Sequence, residues 1–190
     1  ESYPDLRARY IDRRGKYPLY NTADTRFRRQ IMVIKAIKRE QLPLCLEVIH
    51  KSFETVARDF GFTEQNCPGH TSFIKIEKLR NFWAWGFMMF GLWDGDELIG
   101  YYSLSDKGDG RYELHNLAVI PKRRHDGCGK ILLDDAKKRS RELGASLLTL
   151  SFIEESAVLK RWYLSNGFEH IGTEKYEHLP FTVGLMEYAL

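Results

Sequence analysis

The run VIPKRRHDGCGK, residues 119–130, concentrates the residue types best suited to hold an anion. Gly127 and Gly129 permit positive φ and close backbone approach, and the run joins a strand-like stretch to a helix-like one. The first turn of a helix leaves several N–H groups without an intrahelical partner, so this junction predicts a site for a phosphate or pyrophosphate. Lys122, Arg123, Arg124 and Lys130 would add positive charge around it. The plainer reading is a tight strand-to-helix connection. Cys128 would stand at the helix N-terminus, where a thiolate is favoured, although packing as a small apolar residue is the simpler expectation.

The elements that would position this loop follow from hydrophobic period. From Gln41, the residues Leu42, Cys45, Leu46, Ile49, Phe53, Val56, Ala57 and Phe60 recur at offsets of three and four, predicting a helix that ends near Gly61, with Pro43 in its first turn. Residues 71–82, TSFIKIEKLRNF, read as a second, shorter helix. Strands FMMFGLW and ELIGYYSL flank the turn Asp94-Gly95-Asp96, and a second turn, SDKGDG, leads into RYELHNLAVI. The helix CGKILLDDAKKRSRELG would turn Cys128, Leu132, Ala136 and Leu143 inward, set Asp134–Lys138 and Asp135–Arg139 at i,i+4 spacing, and end at Gly144. SLLTLSFI is continuous enough for a strand covered on both faces. A helix over residues 156–165 and strands FEHIGTEKY and FTVGLMEYAL complete the order β α α β β β α β α β β.

Composition narrows the classes. With 43% hydrophobic and 13% aromatic residues in 190, the chain can bury one core, which argues against disorder and fibrous repeats. The charge-free stretch from Phe82 to Trp93 is too short to cross a bilayer, and no secretory signal stands out. Cys45, Cys67 and Cys128 form no C-x-x-C pair, so neither a disulfide framework nor a metal site is expected, and the expected compartment is reducing and cytoplasmic. The net charge of +3 is carried by residues 1–31, which hold eight Arg/Lys against four Asp/Glu; the remainder has 21 against 22. Those first residues read as a basic extension, native or added, before a single domain over 32–190. A basic arm of this kind can touch nucleic acid, but nucleic acid is not the expected partner.

Arg124-His125-Asp126-Gly127-Cys128-Gly129 matches R/Q-x-x-G-x-G, with Leu117-Ala118-Val119 at the spacing that precedes this motif in one family. Together with YELHNLAV, LLTLSF and the downstream RWYLSNGF, this resembles the GCN5-related N-acetyltransferase (GNAT) superfamily over most of residues 32–190. The resemblance implies an α/β (α+β) fold: a mixed, mostly antiparallel sheet of six to seven strands, splayed between the fourth and fifth, flanked by about four helices. It also implies acetyl-CoA as co-substrate and no metal.

Carried over residue by residue, the loop backbone of Arg124, His125, Asp126, Gly127, Cys128, Gly129 and Lys130 would hold the pyrophosphate. A bulge at Leu117, Ala118 and Val119 would pair with the pantetheine arm, and the Val119 N–H would polarise the thioester carbonyl. Tyr163 matches the tyrosine that protonates the departing thiolate. Ser156 stands where the family often has an asparagine touching pantetheine, and its hydroxyl could instead cap the helix. Glu113, six residues before Val119, falls at the general-base glutamate of the histone-acetyltransferase branch. His115 shares its strand face and competes as base, since an imidazole titrates near neutrality.

The expected acceptor is a primary amine, small-molecule, amino-acid-like or peptide, attacking directly in a ternary complex. On the acceptor side the resemblance points to GFTEQNCPGH and HLPFTVG, with Phe82, Trp83, Trp85, Tyr101 and His178 as an aromatic wall. The competing function is an inactive acyl-CoA-binding regulatory or partner-binding module. A homodimer is left open.

Overall fold

Pro43 in the first turn and Gly61 at the C-terminus, with φ 68°, delimit α1 at Leu42–Phe60 in this computed structural model, which describes residues 32–190. The basic segment expected over 1–31 lies outside the described residues. The α1 face bearing Leu42, Cys45, Val48, Ile49 and Ala57 is buried. Strand β1, Met32–Ala36, precedes it.

The second helix differs from expectation. His70 caps a 3-10 turn, Thr71–Phe73, by accepting the Ser72 N–H; Ile74 and Lys75 are then extended, and α2 spans Ile76–Ala84. The delay has a packing cause: Ile74 is buried in the core while its carbonyl meets His50 Nε2 at 2.8 Å.

Two tight hairpins follow. Strand β2, Met88–Asp94, turns into β3, Glu97–Gly108, through Gly95-Asp96, with Gly95 at φ 61°. The second turn is only Asp109-Gly110, both at positive φ, so β3 runs four residues beyond the expected Leu104 before β4, Arg111–Val119. Next come α3 (Cys128–Glu142), β5 (Leu147–Ile153), α4 (Ala157–Ser165), β6 (Glu169–Lys175) and β7 (Thr182–Ala189). The sheet order is β1-β2-β3-β4-β5-β7-β6, antiparallel except where β4 meets β5. That parallel pairing joins Arg111–Leu114 to Leu147–Leu150 and then stops, so the sheet splays at the expected place.

β5 is not covered on both faces. Leu148, Leu150 and Phe152 are buried, whereas on the other face Ser151 is exposed and Leu147, Thr149 and Ile153 are only half-buried. α3 also departs from its expected surface: Leu143 is 46% exposed, while Leu133, Lys137 and Ser140 are buried. Asp135 pairs with Arg139 as expected, but Asp134 takes Lys130 and Lys138 takes Glu142. Lys137 lies beneath the end of α4, donating to the Asn166 carbonyl with its ammonium 3.7 Å from the Tyr188 ring centroid. Among the described residues no helix is long and apolar enough to cross a membrane.

Candidate active site

β4 carries the bulge. Tyr101 faces Ala118 and Ser103 faces His115, so two steps on β3 oppose three on β4, and the extra residue is absorbed at Asn116, whose φ is 51°. The Ile120 N–H donates to Ile99 O on β3, which turns the N–H of its neighbour Val119 toward the opposite edge. That edge is where β5 has diverged.

Beyond Val119 the chain makes a 3-10 turn, Pro121–Arg123, and then visits the left-handed region at His125 (φ 66°) and Gly127 (φ 80°) before entering α3. The N–H groups from His125 to Lys130 find no backbone acceptor among the described residues, which leaves a concave row of donors at a helix N-terminus. This backbone fits a pyrophosphate. The cations expected around the loop are partnered: Lys122 pairs with Glu97, Lys130 with Asp134, and Arg123 with Asp94 and Asp126. Arg124 turns inward and donates to Thr55 Oγ1 (2.9 Å) and Ser52 O (2.7 Å) on α1. Cys128 is buried against Met32, and burial pushes its thiol up, which removes the thiolate expectation.

Glu113 and His115 do share a face of β4. Across the pair, Ser105 opposes Glu113 and Ser103 opposes His115. His115 Nε2 lies 2.8 Å from Ser105 Oγ and 3.5 Å from Glu113 Oε2, and the same carboxylate oxygen is 3.0 Å from Lys107 Nζ. Phe87 and Phe82 stack on each other at 4.3 Å, with the Phe87 centroid 5.0 Å from the His115 ring. Burial pushes the His115 pKa down, against the pull of Glu113 and with the help of Lys107 and Lys78.

Tyr163 points from α4 into the core between Phe152, Trp162 and Phe168, and burial raises its hydroxyl above the usual tyrosine range. Ser156 is the N-cap residue of α4, but its hydroxyl makes no capping bond. The loop that carries it is pinned by two carboxylates. Glu154 holds Lys160 and His170, and Glu155 accepts the Thr182 N–H at 3.0 Å.

The Acetyltransferase (GNAT) family model matches residues 53–168, more than half of the chain. The protein belongs to this family. Its fold matches that of solved GNAT structures. The PaiA N-acetyltransferase of Thermoplasma acidophilum, in complex with coenzyme A, aligns at TM-score 0.72 and 22% identity over 84% of this chain and 99% of that one. The ribosomal-protein-S18-alanine N-acetyltransferase of Escherichia coli aligns at TM-score 0.68 and 15% identity, covering 84% and 94%. A GNAT acetyltransferase of Elizabethkingia anophelis with acetyl-CoA bound aligns at TM-score 0.63 and 14% identity, covering 84% and 98%. No curated protein matches the sequence.

In this GNAT chain the two expected acceptor-side segments do meet. Phe62 lies 5.3 Å from Phe181 in a second apolar cluster that also takes Ala57 of α1 and Ile153 of β5. The single aromatic wall does not form. Phe82 reaches toward His115, but Trp85 is 69% exposed, Tyr101 is fully buried, and His178 is exposed beside Tyr176. Sequence reasoning missed Phe87, Ser105 and Lys107. Period 2 could have found them: Met89 opposes Ser103, so Phe87, Ser105 and Lys107 fall on the same face as His115 and Glu113 once β3 is extended.

His70, buried among Phe53, Phe62 and Phe73, accepts the Ser72 N–H through Nδ1, and burial pushes its pKa down. A lowered folded value means that this contribution to stability is complete above about pH 6.5 and is lost as pH falls through the folded value. His70→Asn keeps an acceptor for Ser72 but does not titrate. Its melting temperature should fall less than that of the parent between pH 7.5 and 5.0. Parallel curves would refute the assignment.

Proposed function

We propose that the protein transfers an acetyl group from acetyl-CoA to a primary amine by direct attack in a ternary complex. One observation carries this reading: a single stretch, residues 113–130, brings a carboxylate–imidazole pair, a bulged strand with an N–H facing the splay, and a row of free loop donors into sequence. Acetyl-CoA supplies the thioester. The loop donors from His125 to Lys130 hold its pyrophosphate, Val119 N–H polarises the carbonyl, and the Glu113–His115 pair takes the amine's proton. Tyr163, kept un-ionised by burial, donates a hydrogen bond to the leaving sulfur, and Ser156, whose hydroxyl makes no capping bond, meets the pantetheine arm.

The acceptor is a small molecule, an amino-acid-like compound or a peptide amine. Incubation with acetyl-CoA and an amine panel, following free thiol, tests the reaction; no release above hydrolysis with any amine would sink it. A thiolate is already a fair leaving group, so Tyr163→Phe should lower kcat only about tenfold, below the usual gain from general acids, with the KM for acetyl-CoA unchanged. A kcat equal to the parent's would remove the tyrosine from the chemistry. The Lys107 ion pair on Glu113 favours a second reading, an inactive acyl-CoA-binding module. A thermal shift with CoA and no turnover would select it.

A further inference from the structure

Within the acetyl-transfer reading, we infer that His115 takes the amine proton on Nδ1, while Ser105 and Glu113 act as positioning residues that hold its Nε2. The contacts divide the pair. One oxygen of the Glu113 carboxylate is engaged: Oε2 meets Lys107 Nζ at 3.0 Å and faces His115 Nε2 at 3.5 Å. His115 Nε2 is hydrogen-bonded with Ser105 Oγ at 2.8 Å and lies 3.5 Å from Glu113 Oε2, and with a carboxylate on that side the proton is assigned to Nε2, which leaves the lone pair on Nδ1. Nδ1 has no partner among the described residues. A carboxylate behind one ring nitrogen fixes the tautomer and stabilises the imidazolium that forms when the other nitrogen accepts a proton.

Distance along the strand points the same way. His115 stands four residues from Val119 and Glu113 six, so at a rise of about 3.3 Å per residue the backbone of His115 is about 7 Å nearer along the strand to the N–H that faces the splay. Phe87 and Phe82 flank the ring, with centroids 5.0 and 6.2 Å from it, and leave it 22% exposed. The charged groups facing it are Glu113 on β4, Lys107 on β3 and Lys78 on α2; with burial, the two lysines outweigh the carboxylate, so the ring stays neutral and able to accept a proton at pH 7.

The step balances without another reactant. The amine nitrogen bonds to the acyl carbon as the C–S bond breaks. The nitrogen's surplus proton passes to His115 Nδ1, the sulfur takes the Tyr163 proton, and solvent returns the imidazolium proton to Tyr163.

Long-range proton–nitrogen NMR on the full chain without ligand reads the tautomer directly. His115 should be Nε2–H at pH 7.5 and titrate below about 6.5, at a still lower pH in Glu113→Gln. Kinetics with acetyl-CoA and the best amine of the panel give the second arm. His115→Gln should lose about a hundredfold in kcat and Glu113→Gln about tenfold, with CoA thermal shifts confirming that both variants fold. Ser105→Ala should displace the acid limb of the kcat profile, and Ser105→Thr should restore it. An Nδ1–H tautomer, a larger loss in Glu113→Gln than in His115→Gln, or an unmoved limb in Ser105→Ala each overturns the assignment. An enzyme silent toward every amine overturns the acetyl-transfer reading itself, whatever the tautomer.

Discussion

Arg124→Ala should weaken CoA binding by about ten- to a hundredfold while leaving the salt dependence of that binding unchanged. The guanidinium does not face the row of loop donors; it ties the loop to α1 through Thr55 Oγ1, Ser52 O and Ser52 Oγ. Bonds from a charged donor contribute about 1.5–3 kcal/mol, and each 1.4 kcal/mol is tenfold in affinity, which sets the range. Without this tether, the left-handed turns at His125 and Gly127 must be ordered at the moment of binding. Arg124→Lys should fail to restore affinity, because one ammonium cannot reproduce a fork that reaches two residues. Titration calorimetry at two salt concentrations decides. If Arg124 instead contacted phosphate, removing it would flatten the salt dependence.

Gly184→Val should destabilise the fold by about 3 kcal/mol, and at 2–4 °C per kcal/mol for a chain of this size lower the melting temperature by about 6–12 °C. Gly184 lies in β7 between Phe152 and Thr173, and a Cβ there would come within 2.5 and 2.6 Å of two Phe152 ring carbons and collide with Glu154 Oε2. Neither can retreat cheaply. Phe152 is buried against Tyr163, and Glu154 holds Lys160 of α4 and His170 of β6. Gly69, where an added Cβ meets nothing within 4 Å, is the control: Gly69→Ala should stay within about 0.5 kcal/mol of the parent. Equal melting curves for Gly184→Val and the parent would refute the packing argument.

What could be read from sequence was written in local backbone chemistry. Gly61, Gly95, Asp109-Gly110, Gly127 and Gly144 all take positive φ, and each marks a boundary that the residues announce by type. The order of seven strands and four helices followed from period and from such punctuation. What escaped depended on partners distant in sequence. Nothing near Arg124 says that its side chain will turn to Ser52, 72 residues earlier. The start of α2 was missed because His70 caps a separate 3-10 turn and Ile74 prefers the core to a helix. Asp134 chose Lys130 over Lys138, a choice that i,i+4 spacing leaves open in both directions. The Ser105–His115–Glu113–Lys107 face stayed hidden because residues 105–110 resemble a turn, and only the observed register shows four of them in a strand.

The buried Lys137 ties α3 to the end of α4. Its ammonium joins the middle of α3, whose first turn supplies loop donors, to the carbonyl of Asn166, the C-cap of α4, which bears Tyr163. A cation between Phe168 and Tyr188 and under a helix C-terminus is held by geometry on every side. Sliding α3 along α4 would therefore break a charge-assisted hydrogen bond and a cation–π contact together.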